Sequence, residues 1–568
     1  MIKMKLAFKD KSQSGLRQYV PTFAKGYDLL KERITRSSNS LRTPRLALAS
    51  LFLSSTLAFA CSPSQPSPIQ QSPIYTPPIQ TATTSSPPTV RFPPAVAQIP
   101  DAQLEVTGTV NPVRFDDTKL NQGIVEAVSG VDITRIDDTL IFLSSFSTRN
   151  TCSGSDGIWP TRDHLANQLQ TMGLRVILPE IAVPVCGSVT SCCPPSARPF
   201  QNVVGILEGE STEQVIFITG HYDTMNIRGR FDPSLPAPGI NDGGSQTAAV
   251  LEVAYQMAAY VAAHGQLKAT VVFIFFAGEE QGLLGSETVA QNLSQFFQGI
   301  LPQLTDDQIL KIKIMAMLNL DIVGGDNHVN TSATLSEFRL YTPGSRADSV
   351  NDSEDTPRNP STSRDLMRSI NESTSRFVDM TMIPKLALDR RGRGGDQIPF
   401  SREVSGEDRT GIAVARFIET SEDANCQHTT CDVHGRITVS YTGNITKVVL
   451  ASALNLASAP RPPTSVEVTR TGPELSIRWT APPDASNVSA YRIVARTVTD
   501  NFPTEQVVIV PAGQLTATVL VSDLGISDSG ESFVSIQSVN SNGDRSLLFY
   551  PGSLCSSSTC RVPPNAFD

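Results

Sequence analysis

Three short apolar runs with almost no polar alternation constrain this chain more than any other feature. Val215–Thr219 reads VIFIT, Thr270–Phe276 reads TVVFIFF, and Ile312–Leu320 reads IKIMAMLNL. A strand with one wet face alternates apolar and polar residues. A strand covered on both faces does not, and such runs belong to mostly parallel sheets between two helical layers. Helical spacing over Thr161–Met172 and Ser245–Ala263 supplies covering helices. The expectation is an α/β domain over about 118–458, with a mostly parallel central sheet flanked by helices. In such sheets ligands bind just beyond the carboxyl ends of the strands.

Residues able to ligate a metal stand at those ends. His221-Tyr222-Asp223 follows the first run, Glu279-Glu280 the second, and Asp321 the third. Asp242 lies in the tight turn Gly239–Gly244 that opens the Ser245 helix, and His428 lies far downstream in QHTTCD. Each has an ordinary reading alone: a packed histidine, a solvated Glu-Glu pair, an aspartate capping a helix. The chain has only 6 His, however, and two of them fall in these settings. Two imidazoles and three carboxylates can hold a pair of divalent ions about 3.5–4 Å apart, bridged by one carboxylate. Nitrogen and oxygen donors without thiolate suit Zn2+, with Mn2+ or Co2+ as other fits. A further carboxylate beside such a cluster can serve as general base on water.

The segments GHYDT, PGINDGGS, FAGEEQGLLGS, LNLDIVG, RGGDQIPF and QHTTCD occur in this order, preceded by NVVGILEGE at Asn202–Glu210. Over about 125–458 the chain resembles the M28 family of zinc aminopeptidases. The resemblance implies two zinc ions, one on His221 and Asp321, the other on Glu280 and His428, with Asp242 bridging. It makes Glu279 the general base, and it suggests that Asp223 and Asp432 accept the imidazole N–H of the histidines near them. The implied substrate is a peptide or protein with a free N-terminus. Two departures stand out: Gly395-Asp396-Gln397 replaces a frequent Ser-Asp-His, and Val433 replaces a Thr. That first segment contributes to the family's substrate pocket, so Asp396 and Gln397 are pocket candidates. Arg390, Arg391 and Arg393 beside it either favour an acidic side chain or form a solvated face. A carboxypeptidase or a one-zinc glutaminyl cyclase of the same superfamily is an alternative. A non-catalytic binding protein on an inactive peptidase fold is disfavoured, because all five donors and Glu279 are present. His164, His264, His328 and His434 have no matching context and read as structural.

The flanks are different in kind. Leu46–Ala60 is an apolar stretch behind Arg42 and Arg45, ending in Ala58-Phe59-Ala60. It has the length of an export signal and is too short to span a bilayer. With Cys61 next, residues 1–60 resemble a bacterial lipoprotein signal with a lipid on Cys61, although Ala58 and Phe59 depart from that pattern; plain secretion to the periplasm or medium is the other reading. Residues 61–117 read as a linker, with 11 Pro between Ser62 and Pro100. The first 60 residues carry 11 Lys/Arg against 3 Asp/Glu; the remainder carries 35 against 52, a net of −17. That balance repels phosphate backbones, so no nucleic-acid partner is expected. Apart from Cys61 there are eight cysteines, which suits disulfides. Their pairing is open, with Cys426–Cys431 and Cys555–Cys560 as short-loop candidates. Short strand-like runs from Val466 to Val539, with Trp479 and Tyr491, resemble a fibronectin type III β-sandwich over 462–550. Such a module binds a surface or substrate, or only stabilises its neighbour. Residues 551–568 read as a tail holding Cys555 and Cys560.

Overall fold

The computed structural model describes residues 119–561, except 155, 187–191, 345–356, 359–360, 391–392, 402–411 and 549–551. The export signal, Cys61, the linker and Arg391 lie outside the described residues.

Eight strands form the central sheet: β1 (Arg175–Ile177), β2 (Val203–Leu207), β3 (Ser211–His221), β4 (Ala269–Phe276), β5 (Lys313–Leu320), β6 (Glu337–Tyr341), β7 (Thr381–Lys385) and β8 (Val414–Glu419). Their spatial order is β1-β2-β4-β3-β5-β8-β6-β7. The pairings β4–β3, β3–β5, β5–β8 and β6–β7 are parallel. The pairings β1–β2, β2–β4 and β8–β6 are antiparallel. The sheet is therefore mixed, with a parallel centre. The apolar runs that pointed to parallel pairing are its central strands; the short, partly polar edge strands carry no such signal.

The central strands are apolar throughout because both faces are covered. In β4, Val271, Phe273 and Phe275 enter one core, while Val272, Ile274 and Phe276 enter the other. Helices Gln246–His264 and Val439–Ser458 pack into the first core, and Leu293–Ile300 into the second. Each fully buried Val, Ile or Phe contributes about 1.5–3 kcal/mol. Parallel register brings the strand ends to one edge: His221 pairs with Phe276, three residues before Glu279, and Thr219 pairs with Asn319, two before Asp321.

Beyond the Val439–Ser458 helix, two antiparallel sheets share a third core. One has Thr464–Thr471, Glu474–Thr480 and Thr516–Leu520; the other has Val508–Pro511, Ala490–Thr497, Ser532–Val539, Ser553–Cys555 and Cys560–Arg561. Glu474–Thr480 alternates strictly between exposed and buried, as a strand with one wet face should. Trp479 and Tyr491 meet edge-to-face at 5.2 Å. Ser553–Cys555 pairs with Ser532–Val534, so the tail extends the sandwich past residue 550. Glu372, on helix Thr362–Phe377, receives Arg492 Nη1 at 2.6 Å and also pairs with Arg545, tying the sandwich to the α/β domain. The eight described cysteines pair as Cys152–Cys193, Cys186–Cys192, Cys426–Cys431 and Cys555–Cys560. No helix among the described residues is long and apolar enough to cross a membrane.

Candidate metal centre

The strand ends and two loops deliver five donors to one place. His221 is the last residue of β3, Asp321 follows β5, and Glu279-Glu280 lie in the turn after β4. Asp242 sits in the turn Ile240–Ser245, which only glycine permits: Gly243 has φ +108°, and a Cβ there would meet the Asp223 carbonyl at 2.6 Å. His428 takes φ +58° inside the loop closed by Cys426–Cys431.

His221 Nε2 lies 3.4 Å from Asp242 Oδ1 and 3.4 Å from Asp321 Oδ1. His428 Nε2 lies 3.0 Å from Asp242 Oδ2 and 3.2 Å from Glu280 Oε2. Two groups result, His221-Asp242-Asp321 and Asp242-Glu280-His428, each with its donor atoms within 4.8 Å of one another. Asp242 belongs to both. Its buried Oδ2 has no hydrogen-bond partner among the described residues, although His428 Nε2 lies 3.0 Å away. The carboxylates also hold both imidazoles far above their ordinary range. Burial pulls His428 down, but Glu280 and Asp242 outweigh it and push it up to about 11. His221 is raised well above the usual value against burial, through Asp242 and Asp321. With every described cysteine in a disulfide, the donor set is nitrogen and oxygen only, which fits zinc.

A family model for peptidase family M28 matches residues 202–453. A protein from Phaeosphaeria nodorum named probable zinc metalloprotease is 31% identical over 415 residues, covering 66% of this chain and 77% of that one. A protein of the same description from Pyrenophora tritici-repentis is 32% identical over 313 residues, covering 52% of this chain; the chain spans 65% of its length. Among solved structures, the LapA aminopeptidase of Legionella pneumophila aligns with a TM-score of 0.42 and 19% identity, covering 63% of this chain and 80% of that one. The chain belongs to peptidase family M28. It is a zinc metallopeptidase, and so a hydrolase.

The M28 centre rests on supports that the sequence reading placed differently or missed. His221 Nδ1 donates to the backbone carbonyl of Asp223 at 3.2 Å, while the Asp223 carboxylate is 3.7 Å away. A carbonyl can only accept, so Nδ1 carries a proton, and Nε2 is the nitrogen that faces the cluster. The Asp223 carboxylate instead accepts the backbone N–H groups of Glu279 and Glu280, each at 3.3 Å. Asp432, expected beside the His428 imidazole, accepts the N–H of Asn241 at 2.7 Å and of Asp242 at 2.9 Å. The disulfide-closed loop turns the chain between 428 and 432, so the two side chains serve different partners. Asp432 thereby holds the turn that carries the shared carboxylate. Burial raises both acids, Asp223 to about 6 and Asp432 to about 7.

Two fully buried arginines were not foreseen. Arg149 donates to the carbonyls of Tyr222 (2.9 Å), Pro238 (2.6 Å) and Gly239 (2.8 Å), stitching the His221 strand end to the Asp242 turn. Burial lowers it to about 10, against Asp432, Asp223 and Asp242, so it stays charged at neutral pH. Its loop has no periodic or motif signal. Arg416 on β8 donates to Asp321 Oδ2 at 2.5 Å and also pairs with Asp389. Burial alone would raise Asp321, but Arg416 and His221 hold it below the ordinary carboxylate range. Here a signal existed: an arginine inside the apolar run AVARFIE needs a buried partner. Glu419 in the same strand accepts Asn241 Nδ2 at 2.9 Å and is raised by burial to about 8.

A cavity of about 220 Å³ opens over Asp242, Glu279, Glu280, Asp321 and His428. Glu279 is half-buried at its wall and is raised well above the usual value by burial and by Asp321, Glu280 and Asp396. Asp396 and Gln397, the pocket candidates, do not line it. Both are fully buried; Gln397 accepts from Asn319 Nδ2 at 3.2 Å and donates to the Leu388 carbonyl at 2.8 Å, so its amide is committed to the sheet side. Their neighbours Arg393 and Gly394 reach the cavity instead. Arg390 pairs with Asp389 at 3.1 Å and with Glu422. The remaining histidines stand apart from both donor groups: His434 bonds Asp137 at 2.7 Å, His164 stacks on Phe142, His264 packs on Tyr260, and His328 faces Asp326.

Proposed function

We propose that the chain is an aminopeptidase that removes single residues from the free N-terminus of peptides, using two zinc ions. His221, Asp321 and the shared Asp242 would hold one ion; Glu280, His428 and Asp242 the other. The observation that carries this reading is the sharing of Asp242 between two complete donor groups with Glu279 at the cavity wall. Zinc bound there supplies a Lewis acid that activates water and polarises the scissile carbonyl.

The chain's own residues do the rest. Glu279 takes the proton of the attacking water on its carboxylate and returns it to the departing amine. The small cavity suits one residue better than a threading chain, which supports exo-cleavage. Asp432 and Arg149 hold the Asp242 turn, and Arg416 fixes the Asp321 carboxylate. Two complete donor groups favour this reading over a one-zinc cyclase. Four disulfides and the apolar stretch before Cys61 support export, with a lipid on Cys61 as one anchoring mode. For the sandwich we propose a fibronectin type III-like module that braces the peptidase domain through Glu372.

The test is incubation of the zinc-loaded protein with a mixed peptide set, read by mass spectrometry with and without chelator, alongside zinc analysis. Stepwise N-terminal loss that chelator stops, with about two ions per chain, is expected. Trimming from the C-terminus, N-terminal cyclisation, or one ion per chain would refute the reading.

A further inference from the structure

We infer that the cavity over the zinc centre selects a substrate carboxylate, gripped by Arg230 and Arg393. The inference rests on the aminopeptidase reading and deepens it. Both arginines line the same cavity as Asp242, Glu279, Glu280 and Asp321. Among the described residues neither takes part in an ion pair, in contrast to Arg390 and Arg416 nearby. Arg393 Nη2 donates at 3.2 Å to Gln427 Oε1, whose Nε2 donates to Glu422 at 3.0 Å. A neutral amide thus orients the guanidinium without pairing its charge. The backbone of Arg230 is fixed as well: its carbonyl accepts Asn150 Nδ2 at 3.0 Å and Gln281 Nε2 at 3.1 Å. Arg230 itself is exposed at the cavity's lining.

Charge counting points the same way. Four cavity carboxylates and two divalent ions cancel, which leaves the two guanidinium charges. A planar guanidinium binds a carboxylate with two parallel hydrogen bonds, so the group these walls recognise best is a carboxylate. Met225 and Leu283 offer an apolar surface for a short methylene stem, and Gly282 and Gly394 leave room beside it. The carboxylate comes either from the side chain of an N-terminal Asp or Glu, or from the α-carboxyl of a very short peptide.

The experiment uses the zinc-loaded full chain and four dipeptides: Glu-Ala-amide, Leu-Ala-amide, Lys-Ala-amide and Leu-Ala with a free carboxyl. Their kcat/KM values are compared in the wild type and in Arg230→Gln, Arg393→Gln and Arg393→Glu. Dissociation constants for the same peptides are measured by calorimetry in zinc-loaded Glu279→Gln. The expected result is at least about tenfold preference for a carboxylate-bearing peptide over Leu-Ala-amide, lowered about tenfold or more by each Arg→Gln. Arg393→Glu should shift the preference toward Lys-Ala-amide. Preference for Glu-Ala-amide assigns the side chain as the source, and preference for Leu-Ala assigns the α-carboxyl. Equal use of Leu-Ala-amide, or a ratio that the arginine substitutions leave unmoved, overturns the inference while leaving the aminopeptidase reading intact. If no peptide is cleaved, that reading falls, and the calorimetric discrimination decides the carboxylate site by itself.

Discussion

Replacing Arg149 with methionine tests whether the metal centre depends on a residue that touches no proposed ligand side chain. The guanidinium makes three hydrogen bonds of 2.6–2.9 Å to carbonyls of Tyr222, Pro238 and Gly239. Each carbonyl left unpaired in the interior costs about 1–3 kcal/mol. The desolvation cost of a buried charge is relieved at the same time, so the net loss should be about 3–5 kcal/mol. The consequence for the site is more specific. Without the guanidinium, the His221 strand end and the Asp242 turn lose their common anchor, and zinc affinity should fall about 10–100-fold, as when other supports of metal ligands are removed. Urea unfolding of the metal-free protein gives the first quantity, and chelator competition gives the second. Arg149→Lys retains the charge but cannot reach all three carbonyls, so it should fall between wild type and Arg149→Met. Stability within about 0.5 kcal/mol of wild type, with unchanged zinc affinity, would refute the reasoning.

Three further outcomes are expected. Glu279→Gln should bind the wild-type complement of zinc and lose about 10²–10⁴-fold in kcat, read by metal analysis and peptide turnover; full turnover in a loaded variant would remove Glu279 from the mechanism. Glu372 is held down to about 2 because Arg492, Arg545 and Arg376 outweigh burial. Its folded value lies below the unfolded one of about 4.3. Its contribution of about 3 kcal/mol is therefore complete above roughly pH 4.5 and fades as the pH falls toward 2. Glu372→Gln should cost about 3–5 kcal/mol at neutral pH and flatten that acid limb, measured by denaturant titration across pH. Removing the Cys426–Cys431 bridge by double serine substitution should free the loop that keeps His428 at φ +58°, and lower the affinity for one zinc ion more than the other in a stepwise chelator titration.

Much of this was readable from local pattern. Apolar runs without alternation marked the central strands, because residues covered on both faces must all be apolar. The metal-binding residue types at the ends of those runs marked the edge where the site would form. The short strand-like runs after Pro463, with Trp479 and Tyr491, pointed to a separate sandwich. The roles of Asp223 and Asp432 were not readable in this way. Spacing from a histidine says that a carboxylate is near in the chain, not which N–H it will meet. Asp432 meets Asn241 and Asp242, 191 and 190 residues away. Gln397 likewise turned inward to Asn319, a partner 78 residues away that only strand order supplies.

By itself, then, the sequence determined the central strands, two of the covering helices, the donor types and the number of cysteines, since each depends on residues within a turn or a strand of one another. Tertiary structure alone decided that Asp242 is shared between two donor groups, that Arg149 and Arg416 anchor them, and that Arg393 rather than Asp396 or Gln397 faces the cavity. Those facts depend on where side chains point and which distant groups they meet. Sheet register and loop closure set both, and no local periodicity encodes them.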